Sequence, residues 1–450
     1  MARFVITNRE TAYLLPPSVD DWLPQGHLAR FVVEVVDQLD LSAITKKYAG
    51  RGSDAYHPST LIALLIYGYA TGVYSSRKIE RATYDSIAFR YVSGNVHPDH
   101  ATLAGFRKSY LKEFETIFVQ VLQVAKEMKL LTLGKVSLDG SKIKANASKH
   151  KALSYGHINK IEAQLREEVA MLLKRAEQID NQPADGMDLP AELERREQRL
   201  EELAAAKARI EERARARDAE EQAEYEAKCA KREALRKEGK KPKGKDPEPP
   251  TAGPRDKDQV NLTDEESRIM KASGGGFVQG YNAQAAVDLD TMLIVSAKVT
   301  QDCNDKKQIE PMLSEIKDLP EDLGEVTGLL ADTGYFSEKN VNHCDNLSVM
   351  PMIAMKRDHH NMPLAERFAE DAPCPEATDS VSQMAWRLKT KAGRALYALR
   401  KSTVEPVFGI VKNVMGFRQF SMRGLKEANG EWNLVAIAWN LKRMNVLKMV

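Results

Sequence analysis

The sequence predicts an α/β protein in which an N-terminal all-α domain precedes an α/β catalytic domain, and a helical, coiled-coil-like insertion divides the latter. Apolar residues recur at helical spacing up to about residue 130. Short β-branched runs then alternate with helical segments on either side of a highly charged stretch. The predicted domains are 1–130, 131–157 together with 261–450, and the insertion 158–260.

Composition limits the class of protein. The chain has 450 residues, of which 43% are apolar and 29% charged, with a net charge of +2. Its four cysteines form no CxxC pair, which argues against a zinc site or a disulfide framework. The longest apolar run, Leu61–Ala70, is too short to cross a bilayer, and MARFVITNRE lacks a signal core. We therefore expect a soluble, cytoplasmic protein.

The first 130 residues read as a series of short amphipathic helices. LARFVVEVVDQLDL (28–41) has helical spacing, a second helix starts at His57-Pro58-Ser59, and Asp99 is placed to cap another. That helix carries Arg107 and Lys108. Two interpretations remain open: a helix-turn-helix DNA reader that uses these cations, or a packed bundle with ordinary surface charge.

Two acids are predicted at strands of the α/β domain. KVSLDGSKIKANAS (135–148) has a strand pattern with Asp139 in its middle, followed by Lys142 and Lys144. A buried, unpaired carboxylate is costly, so Asp139 should face a cation or a metal. EVTGLLADTGYFSEKNV (325–341) predicts a buried strand that ends at Asp332, where α/β folds place their sites. Asp332 could instead simply cap the turn that follows.

The remaining helices and strands of this domain are predicted from the same residue patterns. Residues 274–288 and 291–300 predict a hairpin, 305–316 a helix, 348–355 a strand, and 431–444 a helix that packs on the sheet. Between the two halves, residues 158–246 hold 21 cations and 22 acids, with leucines at heptad-like spacing. The segment Lys228–Lys245 has nine cations and two acids, and PEPPTAGPR after it predicts a disordered linker.

The most unusual stretch is RALYALRKSTVEPVFGIVKNVMGFRQFSMR (394–423). From Arg387 to Lys426 there are ten Lys or Arg and a single acid, Glu405. In a helix over 394–415, Tyr397, Lys401, Glu405 and Lys412 would share a face, with a kink or a helix start at Pro406. Glu405 could merely relieve charge, or it could bind a metal while the cations around it hold nucleic-acid phosphates.

Together, Asp139, Asp332 and Glu405 form a candidate metal site. Carboxylates from separate elements that converge at the end of a sheet can hold two divalent ions, and Mg²⁺ or Mn²⁺ prefers such oxygen ligands. Two ions would activate an attacking hydroxyl and stabilise the leaving oxygen of a phosphodiester. The sequence thus predicts metal-dependent chemistry on a nucleic acid.

Four blocks also carry a family resemblance: LDGSKIKANAS, GGFVQGYNAQAAVD, LLADTGYFS and VEPVFGIVKNVMGFRQFSMRG. In this order they are similar to the motifs of the DDE transposases of bacterial insertion sequences, in the branch with a Tyr-Arg-Glu-Lys signature. The resemblance covers nearly the whole chain. It implies a ribonuclease-H-like catalytic domain, with Asp139, Asp332 and Glu405 as the catalytic, metal-binding triad.

The resemblance also implies a DNA-binding set. Lys412 takes the place of the signature's lysine, with six residues between it and Glu405. At the signature's arginine position this chain has Lys401, with Arg400 one residue earlier and Tyr397 shifted by one, so either cation can take that role. The candidate DNA contacts are Tyr397, Arg400, Lys401, Lys412, Arg418, Arg423, Lys142, Lys144, Arg107 and Lys108.

The implied activity is transposition. The protein would cut at the ends of an insertion sequence and transfer the strands into target DNA, as a homodimer or higher oligomer on DNA in the bacterial nucleoid. The alternatives are a DNA nuclease of the same fold and a DNA-binding descendant that has lost catalysis.

Overall fold

The computed structural model describes residues 18–48, 55–179, 189–239, 241–242, 244–272, 275–356, 370–375 and 379–448. The chain forms two compact units. Met1–Lys144 with Tyr281–Val450 form one, which we call the sheet unit, and Ala145–Gly280 form the other, which we call the helical unit. In the described part of the chain, no helix is both long and apolar enough to cross a membrane.

Eight helices lie in the described residues at the start of the sheet unit. They are α1 (Val19–Trp22), α2 (Leu28–Val36), α3 (Ser42–Thr45), α4 (Pro58–Ala70), α5 (Ser76–Asp85), α6 (Ile87–Val92), α7 (His100–Ser109) and α8 (Leu111–Glu127). Helix α4 begins with Pro58 at its first position, where proline loses no intrahelical hydrogen bond. The Asp99 side chain accepts a hydrogen bond from Thr102 N and caps α7, as predicted.

The sheet of this unit combines parallel and antiparallel strands. Its strands are β1 (Leu133–Lys144), β5 (Phe277–Asp288, the part from Tyr281), β6 (Ile294–Thr300), β7 (Gly324–Ala331) and β8 (Met350–Ile353), in the order β6-β5-β1-β7-β8. β5 and β6 form the predicted antiparallel hairpin, whereas β1, β7 and β8 run parallel. The β-branched and aliphatic runs seen in the sequence are these core strands.

The helices that accompany the sheet are α11 (Ile309–Lys317), α12 (Glu338–Asn346), α13 (Ser380–Lys389), α14 (Lys391–Ala398), α15 (Val404–Asn413) and α16 (Leu425–Leu447). Helix α16 is buried around most of its circumference and packs against β6, α8 and α4. The Asn440 side chain bonds both Ile294 N and Ile294 O, at 2.8 Å each. Backbone groups on an outer strand are thereby satisfied.

The N-terminal helices, which the sequence predicts as a domain of their own, belong to the same compact unit as the sheet, since α4 and α8 pack on α16. An amphipathic pattern shows that a helix has a buried face but does not identify its partner.

The helical unit contains β2 (Ala152–Ser154), α9 (Tyr155–Ile179), α10 (Leu189–Lys237), β3 (Gln259–Asn261), β4 (Arg268–Lys271) and the first residues of β5. β2 pairs antiparallel with β3, and β4 pairs with residues 277–280 of β5. The heptad-spaced Leu203 and Ile210 are buried against Leu153, Ile158 and Val260. The leucine pattern therefore serves packing within the chain.

Candidate active site

Asp139 and Asp332 lie side by side on neighbouring strands. β1 and β7 are parallel, and Leu138 of β1 lies opposite Ala331, the last residue of β7. Asp139 follows Leu138 and Asp332 follows Ala331, so the two acids are neighbours across the two strands. Asp139 Oδ1 accepts a hydrogen bond from Gly140 N, and Asp332 Oδ1 accepts one from Gly334 N, both at 2.8 Å. The carboxyl ends of parallel strands thus bring the two predicted acids together.

Burial and several neighbouring charges shift the pKa of Asp139. Burial raises the pKa of Asp139 to about 6, and the negative charges of Asp332 and Asp305 act in the same direction. The Arg400 guanidinium and the Gly140 amide act in the opposite direction. Accumulated negative charge in a sheltered place favours a bound cation.

Glu405 lies near the strand acids, at the start of the second of two helices that a 3-10 turn separates. The sequence predicted helix over 394–415 with a kink or a helix start at Pro406, and the structure has α14, a 3-10 turn at Leu399–Ser402, and then α15. Pro406 lies in the first turn of α15, where a missing N–H costs no intrahelical hydrogen bond. Of the two outcomes predicted at Pro406, a helix start is the one observed, with Glu405 in the positively polarised first turn.

Arg400 joins the acids. Its Nη1 lies 3.3 Å from Asp139 Oδ2, and its Nη2 lies 2.7 Å from Glu405 Oε1. The Arg400 side chain is only 13% exposed. One guanidinium therefore bridges a strand acid and a helix acid that are 266 positions apart in sequence, and the break before α15 makes this reach possible.

The donor set fits divalent cations in its chemistry. It consists of carboxylate oxygens, which Mg²⁺ and Mn²⁺ prefer, and the sheltered Asp139 holds negative charge that needs compensation. In the present arrangement Arg400 supplies that compensation. Within the described ranges, no three His, Cys, Asp or Glu side chains stand close enough to share one ion. A metal at this place would thus compete with Arg400 for the same oxygens.

Two other predicted residues, Lys412 and Tyr397, lie near the acids. Lys412 Nζ bonds Ser141 Oγ and also Lys142 O, at 3.3 Å for the latter. Burial lowers the pKa of Lys412 from its usual value. Tyr397 donates a hydrogen bond from its hydroxyl to Ala331 O, at 3.3 Å, next to Asp332. Tyr397, Arg400, Glu405 and Lys412 therefore lie close to the two strand acids.

The remaining predicted DNA contacts have different environments. The side chains of Lys401, Arg418, Arg423, Lys144 and Lys108 are exposed. Lys144 is also tied to the basic stretch through its backbone, because it accepts from Phe420 N at 2.8 Å and donates to Arg418 O at 3.2 Å. The end of β1 and the segment after α15 therefore form a continuous basic edge.

Arg107 needs a correction. It was predicted as a DNA contact on an exposed helix face, but it is only 8% exposed and donates to Tyr69 Oη at 2.8 Å. The same hydroxyl donates to Glu431 Oε1 at 2.7 Å, and Glu431 is fully buried. Arg107 therefore compensates an internal carboxylate, and we do not propose a DNA contact for it. Its exposed neighbour Lys108 remains a candidate.

Sequence reasoning missed a group of polar residues beside the acids. Asp305 Oδ1 accepts hydrogen bonds from Asn282 Nδ2 at 2.6 Å, Gln284 Nε2 at 2.8 Å and Lys142 Nζ at 3.3 Å. Gln284 in turn accepts from the Tyr335 hydroxyl. One signal was present in the sequence, since two amides at alternate positions of the apolar strand GYNAQAAVD must find buried partners.

Gly140 makes room for this group. A Cβ at Gly140 would lie 2.2 Å from Gln284 Nε2 and 2.6 Å from Asp305 Oδ1. Because these atoms are held by mutual hydrogen bonds, they cannot simply move aside. We expect Gly140→Ala to lower the free energy of unfolding by about 1–3 kcal/mol in chemical denaturation.

Gly134→Ala is the matched control for this change. It lies on the same strand, and its Cβ would meet no atom of the described residues within 4 Å. An equal loss of stability in both variants would show that the tight approach at Gly140 is not the cause.

Two family models match the chain. Residues 17–109 match a transposase domain (DUF772), and residues 250–441 match a transposase DDE domain. No curated protein and no solved structure matches. The DDE match contains Asp332 and Glu405, whereas Asp139 lies between the two matched ranges.

The DDE domain implies a ribonuclease-H-like α/β fold, and the mixed sheet with its N-terminal helical region agrees with this. Proteins with this domain act on DNA and generally use divalent metal ions. The two matches together cover well over half of the chain. The chain is a DDE transposase, a metal-dependent enzyme that cuts and joins DNA.

Proposed function

We propose that Asp139, Asp332 and Glu405 are the catalytic carboxylates of this transposase and hold two Mg²⁺ or Mn²⁺ ions. The observation that carries the proposal is the double ion pair of Arg400 with Asp139 and Glu405, beside an Asp332 that is in register with Asp139. Ions held there would activate the attacking water or 3′-hydroxyl and stabilise the leaving oxygen.

The protein's own residues prepare this reaction. The strand register fixes Asp139 and Asp332, and the first turn of α15 presents Glu405 toward Arg400. Without DNA, Arg400 occupies the carboxylate oxygens that cations from solvent would otherwise bind. When DNA binds, Arg400 would move to a phosphate, because its planar guanidinium suits a phosphate group, and the carboxylates would be released. Lys412, which bonds Ser141 Oγ, would contact the phosphate next to the cleaved bond.

We also propose that the chain belongs to the branch with the Tyr-Arg-Glu-Lys signature. The Tyr397 hydroxyl donates to Ala331 O at the end of β7, and Lys412 Nζ donates to Lys142 O of β1. Of the two candidates for the signature arginine, Arg400 is the one that pairs with two of the acids, while the Lys401 side chain is exposed. This contact favours Arg400 as the functional counterpart.

The exposed cations suggest how DNA is held. We propose that phosphates run along the basic edge, where Lys144, Arg418 and Arg423 are exposed, that Lys401 and the half-buried Lys142 add further contacts, and that Lys108 contributes from α7. Contacts of this kind release counterions and give affinity without sequence preference. The N-terminal helices would contribute recognition of the element ends, and the helical unit would contribute to partner or DNA contact.

We expect Lys401→Ala to weaken binding of DNA of any sequence and to reduce the slope of log affinity against log salt by about one unit. Fluorescence anisotropy of labelled DNA at several salt concentrations measures both. Lys317→Ala, an exposed lysine in the last turn of α11 and outside the basic stretch, is the control and should leave the slope unchanged. A change confined to one DNA sequence would contradict a phosphate contact.

Cutting two ends and joining them to a target requires coordination, so we propose a homodimer or higher oligomer on DNA, at the nucleoid in the cytoplasm. A strand-transfer assay separates this function from the two alternatives. Joined products support the transposase, hydrolysed products alone support a nuclease of the same fold, and neither product with intact DNA binding supports an inactive descendant.

A further inference from the structure

Helix α5 has an exposed face with cations that the proposed site does not use. Arg77, Arg81 and Tyr84 follow the i, i+4, i+7 spacing, so they form one stripe along the helix, and all three are exposed. Lys78 is exposed beside them. Within the described residues, neither Arg77 nor Lys78 forms an ion pair. Both cations are therefore available to a negatively charged partner.

The inner face of α5 is held by neighbouring residues. Ile79 and Thr83 are fully buried. The Glu80 carboxylate accepts a hydrogen bond from His100 N at 3.1 Å and lies 2.8 Å from His100 Nδ1, at the start of α7. His97 Nδ1 lies 3.0 Å from Thr83 Oγ1. Because these contacts fix the orientation of α5, its outer stripe faces solvent in one defined direction.

The start of α5 lies next to the basic edge. Tyr74, the residue before the N-cap of α5, donates a hydrogen bond from its hydroxyl to Met415 O. Its ring packs against the Phe417 ring, with the two centroids 5.4 Å apart. Arg418 follows Phe417 directly, and Arg77 follows Tyr74 after one turn of chain. The cations of α5 therefore continue the basic edge on which we place DNA phosphates.

Helix α7, which the sequence suggested as a DNA reader, has a different outer face. Its exposed residues are Ala101, Gly105, Lys108 and Ser109. Its one arginine, Arg107, is internal. Bases are read in the major groove by side chains that hydrogen-bond to their edges, most often by arginine at O6 and N7 of guanine. Helix α5 has two exposed arginines for this purpose, whereas α7 exposes none.

We propose that α5 lies in the major groove of the element-end DNA, where Arg77 and Arg81 read guanine bases and Lys78 holds a phosphate at the rim of the groove. A helix of this length spans about 15 Å, and the major groove, about 12 Å wide, admits an α-helix. Asp85 accepts a hydrogen bond from Arg81 Nε at 3.0 Å and so orients the guanidinium, whose terminal N–H groups would contact the base. This inference rests on the proposed function, because it names the helix that recognises the DNA to be cut.

The test is selection of duplex DNA with a randomised centre by the full-length protein, followed by sequencing of the bound duplexes. We expect the wild type to enrich a motif that contains guanines. Arg77→Lys and Arg81→Lys keep the charge but lose the planar fork, so each should lower the preference for guanine at one base pair by about 10- to 100-fold. Their affinity for unselected duplexes should change by less than about 2-fold. Lys78→Gln should weaken binding of all sequences and leave the motif unchanged.

Ala101→Gln is the matched control on α7, because it adds a polar side chain at an exposed position of that helix, and it should leave the motif unchanged. An unchanged motif in both arginine variants, or a wild type that enriches no motif, would overturn the inference. A motif altered by Ala101→Gln alone would also overturn it and assign the reading to α7.

Mg²⁺-dependent nicking of the enriched duplex by the wild type separates this inference from the proposed function. Nicking together with a motif that neither arginine variant changes would refute only the role of α5. A motif that depends on Arg77 and Arg81, without any nicking, would support the role of α5 and refute the proposed chemistry.

Discussion

Replacing Glu405 with glutamine is expected to abolish Mg²⁺-dependent nicking of element-end DNA, with a rate at least ~10³-fold below wild type. An amide is a much weaker ligand for Mg²⁺ than a carboxylate, so the metal site would lose one of its ligands. DNA affinity should stay the same or rise, because the change deletes a negative charge beside the phosphates without removing a phosphate contact. Nicking of a labelled end fragment and its anisotropy measure the two properties.

Glu427→Gln is the control for this experiment. Glu427 lies just beyond the basic stretch, in the first turn of α16. Its replacement by glutamine changes the net charge by the same amount as Glu405→Gln. We expect it to nick normally. A Glu405→Gln protein that nicks at the wild-type rate would show that Glu405 is an incidental acid in a basic surface.

The second large effect concerns the buried network under the N-terminal helices. Arg107 of α7, Tyr69 of α4 and Glu431 of α16 are joined by hydrogen bonds through the Tyr69 hydroxyl. Burial and the Glu431 carboxylate raise the pKa of Tyr69 well above its usual value, so it remains a neutral donor. The charges of Arg107 and Glu431 also act on each other, and a buried carboxylate that loses a nearby cation is destabilised.

We expect Arg107→Met to lower the free energy of unfolding by about 3 kcal/mol in chemical denaturation, because Glu431 would remain buried without a cation. Lys108→Met, on the exposed neighbour, should change it by less than ~0.5 kcal/mol. Wild-type stability combined with weakened DNA binding in Arg107→Met would restore the DNA contact that the sequence predicted.

The sequence was most informative where a residue contradicted its own local pattern. Asp139 and Asp332 were recognisable because each is a carboxylate in or directly after an apolar, β-branched run, and the parallel register then places them side by side. Glu405 was recognisable by its isolation among cations. In all three cases the signal is local, so no partner was needed to see it.

Features that depend on distant partners were not predictable. Asp305 was predicted only as the first residue of a helix, because its partners Lys142, Asn282 and Gln284 come from two strands that the sequence does not link to it. Arg107 looked like a surface cation, because its partner Glu431 is more than three hundred residues away. Helical periodicity likewise suggested a continuous helix through Ser402, although the break there is what brings Arg400 to the acids.

The central claim is that Asp139, Asp332 and Glu405 hold the catalytic metal. Anomalous diffraction from a crystal of the Glu405-containing wild type with Mn²⁺ and element-end DNA tests it most directly. The account predicts manganese peaks about 2.0–2.3 Å from carboxylate oxygens of these three residues, with the Arg400 guanidinium withdrawn from Asp139 and Glu405. Manganese bound elsewhere, with both Arg400 ion pairs intact in the DNA complex, would contradict it.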